Sequence, residues 1–116
     1  MKVKRIVANI ETKKISAARR FYEKVLGLDV LMDHGWLVTY GSSTKMTVQI
    51  SFASQGGSNT KVPDLSIEVD DVNEAYRRMK KARFKIKYPL TEEPWGVRRF
   101  FVQDPFGQTV NILEHL

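Results

Sequence analysis

Leu65-Ser66-Ile67-Glu68-Val69-Asp70-Asp71-Val72-Asn73-Glu74-Ala75-Tyr76 carries the reading of the chain. Leu65, Ile67 and Val69 alternate with Ser66 and Glu68, the period of a strand with one apolar face. At Val72 the period changes. Val72, Ala75, Tyr76, Met79 and Ala82 recur at helical spacing, so a helix is expected over 72–82. Asp71 stands at its N-cap position, and Glu74 completes a capping-box pattern. Earlier in the chain Ala8-Asn9-Ile10-Glu11 repeats the strand. Ile15, Ala18, Tyr22, Val25 and Leu26 repeat the helical spacing, with Gly27 as a natural stop. In this register Ile15 falls on Val72, Ala18 on Ala75, Arg20 on Arg77 and Lys24 on Lys81. A pattern match across a whole strand and helix marks an internal repeat.

Working outward, period-two alternation predicts strands around Val48, Ile50 and Phe52, around Phe100 and Val102, and around Val110 and Ile112. Less regular strands are expected over 28–32, 36–40 and 84–88. The order is β-α-β-β-β, then the same again. A chain of 116 residues is one domain, 1–116. Within it, module one spans 1–55, module two 62–116, and a linker 56–61 lies in a Gly/Ser-rich stretch. Asp104-Pro105-Phe106-Gly107 is a turn sequence, with Pro fixing φ and Gly free to take a positive one.

Composition narrows the function classes. Hydrophobic residues at 42% and charged residues at 28% are ordinary for a globular chain. With no cysteine, disulfides, thiolate metal sites and cysteine nucleophiles are excluded. No apolar run approaches the roughly 20 residues of a membrane span. The start Met1-Lys2-Val3-Lys4-Arg5 is basic, but Ile6-Val7-Ala8-Asn9 is too short for a signal core, so a cytoplasmic location is expected. The net charge is +6. Its lysines and arginines are interleaved with acids and fall on predicted helix faces, so neither nucleic acid nor membrane is expected as a partner. No Ser-His-Asp set, P-loop or dinucleotide fingerprint is present.

Three stretches resemble the glyoxalase/bleomycin-resistance/extradiol dioxygenase (vicinal oxygen chelate) superfamily. Ala17-Ala18-Arg19-Arg20-Phe21-Tyr22-Glu23-Lys24-Val25-Leu26-Gly27-Leu28 is similar to the family's first helix and its end. Ser66-Ile67-Glu68-Val69-Asp70-Asp71-Val72 is similar to its second strand-to-helix junction. Trp95-Gly96-Val97-Arg98-Arg99-Phe100-Phe101-Val102-Gln103-Asp104-Pro105-Phe106-Gly107 is similar to its closing hairpin. Together they span most of the chain. The resemblance implies an α+β fold: two βαβββ modules forming curved mixed sheets around a cleft, helices outside. It also implies a homodimer.

Metal-using members take one ligand from the first and last strand of each module, usually His or Glu. The matching slots here are Val7, Gln49, Asp64 and Asn111. Val7 has no donor atom, and Gln49 and Asn111 offer neutral amides, which are poor ligands for zinc, nickel or iron. His34 and His115 map to no slot, and both are expected to be exposed. No metal and no other cofactor is therefore expected, and the family's metal-dependent activities are disfavoured.

The predicted cleft face holds Asn9, Glu11, Thr47, Gln49, Ser51, Asp64, Ser66, Glu68, Arg99, Phe101, Gln103 and Asn111. A polar strand face can be merely solvated, and that is the plain reading for Glu11 and Glu68. Enclosed amides such as Gln49 and Asn111, however, need partners. Trp95 and Phe101 can wall a planar ligand, whereas Trp36 is expected in the core. Arg99 can pair with Asp64 or with an anionic group; Arg98 should point the other way. The candidate ligand-binding set is Asn9, Gln49, Asp64, Trp95, Arg99, Phe101 and Asn111. The reading is a metal-independent binding protein for a small organic ligand. The alternative is a lyase, isomerase or dioxygenase of the same superfamily, with Asp64 or Glu68 as the base of a metal-free version.

Overall fold

The computed structural model describes residues 8, 10, 12–42, 52 and 54–116. The chain forms a short 3-10 turn, Ile15–Ala17, a π-helical segment, Arg19–Val25, and two strands, β1 (Asp29–Asp33) and β2 (Val38–Gly41). There follow β3 (Leu65–Glu68), helix α1 (Val72–Lys81), β4 (Ile86–Glu93), β5 (Val97–Gln103) and β6 (Thr109–His115). β1 and β2 pair antiparallel. The other strands form one sheet in the order β3-β6-β5-β4. The chain leaves β3 through α1, returns at the far edge, and meanders back until β6 lies parallel to β3. The strands expected around 8–11 and 48–52 lie largely outside the described residues. Among the described residues no helix is long and apolar enough to cross a membrane.

α1 starts where its cap allows. The Asp71 side chain accepts from the Glu74 backbone N–H at 3.0 Å, satisfying one of the free donors of the first turn. The Glu74 carboxylate reaches forward to Arg77 and Arg78, at 2.6 and 2.8 Å. Hydrogen bonds from these two arginines push its pKa down to about 2. Val72, Ala75 and Met79 form the buried stripe. They pack on Phe100, Val102, Val110 and Ile112, one face of the β5–β6 pair, together with Phe21 and Tyr22.

The first helix departs from expectation. The spacing over 15–26 predicts an α-helix, but the chain forms a 3-10 turn and then a π segment. Two neighbouring aromatics account for it. Phe21 sits edge-on to Phe84 at 5.0 Å, while the Tyr22 hydroxyl donates to Asp104 at 2.7 Å. A π turn advances each residue through a smaller angle, so adjacent side chains can share one buried face. Gly27, at φ +68°, ends the segment as expected.

Trp36 corrects another expectation. It is 76% exposed, at the tip of the β1–β2 hairpin, where it stacks on His34 at 6.1 Å. A hairpin tip closed by the His34 N–H to the Leu37 carbonyl lies too far from the core for a side chain to reach it. The strand expected over 84–88 runs further than its pattern suggests: β4 continues through Glu93, and only three residues turn the hairpin into β5.

Candidate functional site

The sheet face turned away from α1 is built by the odd positions of β5 and β6 and the even positions of β3. Strand pairing sets Val97 opposite His115, Arg99 opposite Leu113, and Phe101 opposite Asn111. Ser66 and Glu68 lie beside Asn111 and Leu113 on the other side. Among the described residues no helix packs on this face, yet Val97, Arg99, Phe101 and Asn111 are all buried. A hollow of about 320 Å³ remains among them. Asn111, Leu113 and Ser66 lie along one side, Trp95, Val97 and Arg99 along another, and Glu68 and His115 complete the lining.

Arg99 is the most enclosed cation of this face. Its side chain is 6% exposed and that of Glu93 1%, with Nη2 to Oε2 at 3.6 Å. The Glu93 carboxylate also accepts the Tyr88 hydroxyl at 2.6 Å and the Ser58 hydroxyl at 2.5 Å. Burial alone would raise the Glu93 pKa. The Ser58 and Tyr88 hydroxyls and the Arg99 charge outweigh burial, and the net shift is downward. The carboxylate is therefore ionised at neutral pH and compensates Arg99. The guanidinium carbon lies 4.8 Å from the Phe101 ring centre, 5.0 Å from Trp95 and 5.3 Å from Tyr88, within cation–π range of all three. Nη2 also donates to the Gly57 carbonyl at 3.3 Å.

That carbonyl belongs to a strained turn. Gly57, Ser58 and Asn59 all have positive φ, at 82°, 49° and 62°. The turn is held by the Gly56 N–H to the Thr60 carbonyl at 2.8 Å, with Thr60 returning its own N–H to Gly57. A side chain at Gly57 would meet Trp95 Cη2 at 2.7 Å. Only glycine lets Trp95 lie this close. The stretch expected as a bare linker thus packs against the site.

Two buried polar atoms in this region have no partner among the described residues: Arg99 Nε and Asn111 Oδ1. The Asn111 amide nitrogen is engaged, donating to Ser66 Oγ at 3.1 Å. A donor and an acceptor are thus left unmade in the lining of one hollow.

The sequence-predicted residues divide. Trp95, Arg99 and Asn111 come together around the hollow. Phe101 is 4% exposed and lies beneath the guanidinium instead of walling the hollow. Asp64 does not meet Arg99. It is exposed, and its Oδ2 accepts the Thr109 N–H at 2.8 Å, while its own N–H donates to the Thr109 carbonyl. Of the two partners offered for Arg99, Asp64 or an anionic group, Asp64 is not the one it meets; Glu93 is closer because it leads into the same hairpin as Arg99. Asn9 and Gln49 lie outside the described residues. Arg98 points away, pairing with Glu92 at 3.1 Å. Glu93, Tyr88, Ser58 and Gly57 were missed from sequence. Glu93 pairs with Val97 across the hairpin, so extending the strand pattern through 91–93 would have placed it on this face.

A larger hollow of about 480 Å³ lies between the π segment and the β1–β2 hairpin, lined partly by Arg19, Glu23 and Tyr40. Its charges face water; Arg19, at 64% exposure, meets Glu23 at 3.4 Å. It holds neither of the unpartnered buried atoms, so the smaller hollow is the better candidate.

The family model for the Glyoxalase/Bleomycin resistance protein/Dioxygenase superfamily matches residues 4–112. No curated protein matches the chain. Among solved structures, a protein of unknown function from Agrobacterium tumefaciens is 23% identical with a TM-score of 0.67, covering 100% of this chain and 95% of that one. An antibiotic binding protein from Streptomyces is 20% identical with a TM-score of 0.67, covering 100% and 97%. A lactoylglutathione lyase from Agrobacterium tumefaciens is 20% identical with a TM-score of 0.60, covering 85% and 84%. With a family match over nearly its whole length and the same α+β fold in these neighbours, the chain belongs to the glyoxalase/bleomycin resistance protein/dioxygenase superfamily.

Proposed function

We propose that the chain binds a small organic molecule in the hollow between β3, β5, β6 and Trp95, without a metal ion. The observation that carries this is the burial of Arg99 and Asn111 on a sheet face with no helix over it among the described residues. Enclosed polar groups beside an aromatic wall are the usual make-up of a small-molecule site. An antibiotic binding protein among the structural neighbours fits the same reading. The candidate residues are Trp95, Arg99 and Asn111, with Glu93 and Gly57 holding Arg99 in place. Asn9, Gln49 and Asp64 stay in the proposed set on the strength of the strand pattern, and Phe101 stays in it as the ring beneath Arg99.

The donor set supports metal independence. Of the four family slots, Val7 offers no donor. Asp64 already accepts a backbone N–H, and Asn111 supplies one neutral amide oxygen. One committed carboxylate and neutral amides do not compensate a dehydrated divalent cation. Native mass spectrometry of protein purified from its own source should find a retained organic ligand. Elemental analysis showing stoichiometric zinc, nickel or iron, lost on Asp64→Ala, would overturn metal independence.

The isomerase or lyase reading keeps one supporting observation. Glu68 Oε2 and His115 Nδ1 are 3.2 Å apart, and both residues line the hollow. A carboxylate–imidazole pair can move a proton. Exchange of a retained ligand's C–H protons with deuterated solvent, abolished by Glu68→Gln, would favour it over simple binding. The proposal also includes two modules, 1–55 and 62–116, joined by a linker over 56–61, and a cytoplasmic homodimer with neither nucleic acid nor membrane as a partner.

A further inference from the structure

We infer that the ligand carries, on its planar part, a neutral group that is hydrogen-bond acceptor and donor at once, of the carboxamide or lactam class. Its acceptor would meet Arg99 Nε–H and its donor Asn111 Oδ1. This rests on the small-molecule reading above and names the chemistry of the same site.

The two unmade bonds are of opposite kind. Nε is a donor and Oδ1 an acceptor, and both atoms are buried without a partner among the described residues. Natural interiors leave few such groups, and those left call for a specific reason. Neither is spare capacity on an exposed side chain: Arg99 is 5% and Asn111 7% exposed. Arg99 lies opposite Leu113 on the β5–β6 ladder, and Asn111 is two residues along from Leu113. The two are therefore diagonal neighbours, about 7–8 Å apart at the backbone, with side chains on one face. Diagonal heads of this length can be reached by a single small group.

Charge selects a neutral group. Glu93 already compensates the guanidinium through Nη2, so an anion would have to compete with a buried carboxylate. Glu68 in the lining repels an anion further, and Arg99 itself repels a cation. Trp95, half exposed over the guanidinium, offers a flat wall for the planar part. A hollow of about 320 Å³ is at the small end for ligand sites, so the ligand is compact.

Three probes of one shape test this: benzamide with donor and acceptor, benzoate with acceptors only, and benzamidinium with donors only. Binding is followed by nitrogen–proton NMR at the Arg99 Nε–H, the Asn111 side-chain amide and the Trp95 indole. Benzamide should shift the Arg99 and Asn111 signals with an affinity about tenfold above either charged probe, a difference of ~1.4 kcal/mol. Asn111→Leu, and Asn111→Ser should the first fail to fold, should remove that preference. Equal binding of all three, or benzamide binding with the Arg99 Nε–H unmoved, overturns the inference while leaving small-molecule binding standing. Preference for benzoate overturns it too, because the Asn111 amide would then be presenting its nitrogen. No shift with any probe at about 10 mM, well above a millimolar constant, together with no ligand on natively purified protein, overturns both. A retained natural ligand lacking such a group overturns the inference alone.

Discussion

Arg99→Met should destabilise the protein by about 3–5 kcal/mol at neutral pH, the cost of stranding one partner of a buried ion pair. The Glu93 side chain left behind is 1% exposed and cannot be rehydrated without opening the hairpin. It keeps the Ser58 and Tyr88 hydroxyls at 2.5 and 2.6 Å, which argues for the lower part of that range. Against this, the guanidinium loses three ring contacts between 4.8 and 5.3 Å, each worth roughly 0.5–2 kcal/mol. Methionine fills most of the volume, so the cavity contribution is small. Urea denaturation of Arg99→Met, Glu93→Gln and the double variant forms the assay, with the coupling energy expected at about 1–3 kcal/mol. The sign of the pH dependence follows from the lowered Glu93 pKa. A carboxyl whose folded value lies below its ordinary 4.5 contributes stability above that pH and loses it as pH falls through the folded value. The gap between wild type and Arg99→Met should therefore narrow below pH 4.5. A single-variant loss under about 1 kcal/mol with additive effects would refute the reasoning, since a solvated pair behaves that way.

Tyr22→Phe should cost about 1–3 kcal/mol, because Asp104 Oδ2 loses its hydroxyl donor at a site 3% exposed. Burial and then the Asp104 hydrogen bond raise the Tyr22 pKa above its ordinary 10.0. In wild type one tyrosine should thus resist ionisation in an alkaline absorbance titration, and stability should fall above pH 10.0, where the unfolded phenol ionises first. Gly57→Ala, at φ +82° and against Trp95, should cost about 1–3 kcal/mol and shift the Trp95 emission, read in a Trp36→Phe background. Unchanged emission would mean that the turn does not hold the ring. Sedimentation at micromolar concentration should give a dimer, and a monomer only would refute the proposed assembly.

What could be read from one sequence was what depends on near neighbours. The alternation of Leu65, Ile67 and Val69, the Asp71 cap and the turn at Gly107 are decided within a few residues, and the structure has each of them. Alternation also assigned Arg99 and Asn111 to the face away from the helix, because the side-chain period of a strand leaves no other choice. Nothing in the residues announced the π turn, which arises from burying Phe21 against Phe84 and Tyr22 against Asp104, positions distant in the chain. Likewise Glu92 and Glu93 are chemically identical in sequence. Strand register makes the first an exposed partner of Arg98 and the second the buried partner of Arg99. The Gly57 turn reads as a linker because its contacts to Trp95 and Arg99 cross some forty residues. Sequence by itself determined which face the side chains of β3, β5 and β6 take. Only the tertiary structure decided which charges that face encloses, because burial and pairing depend on residues that the chain brings together from afar.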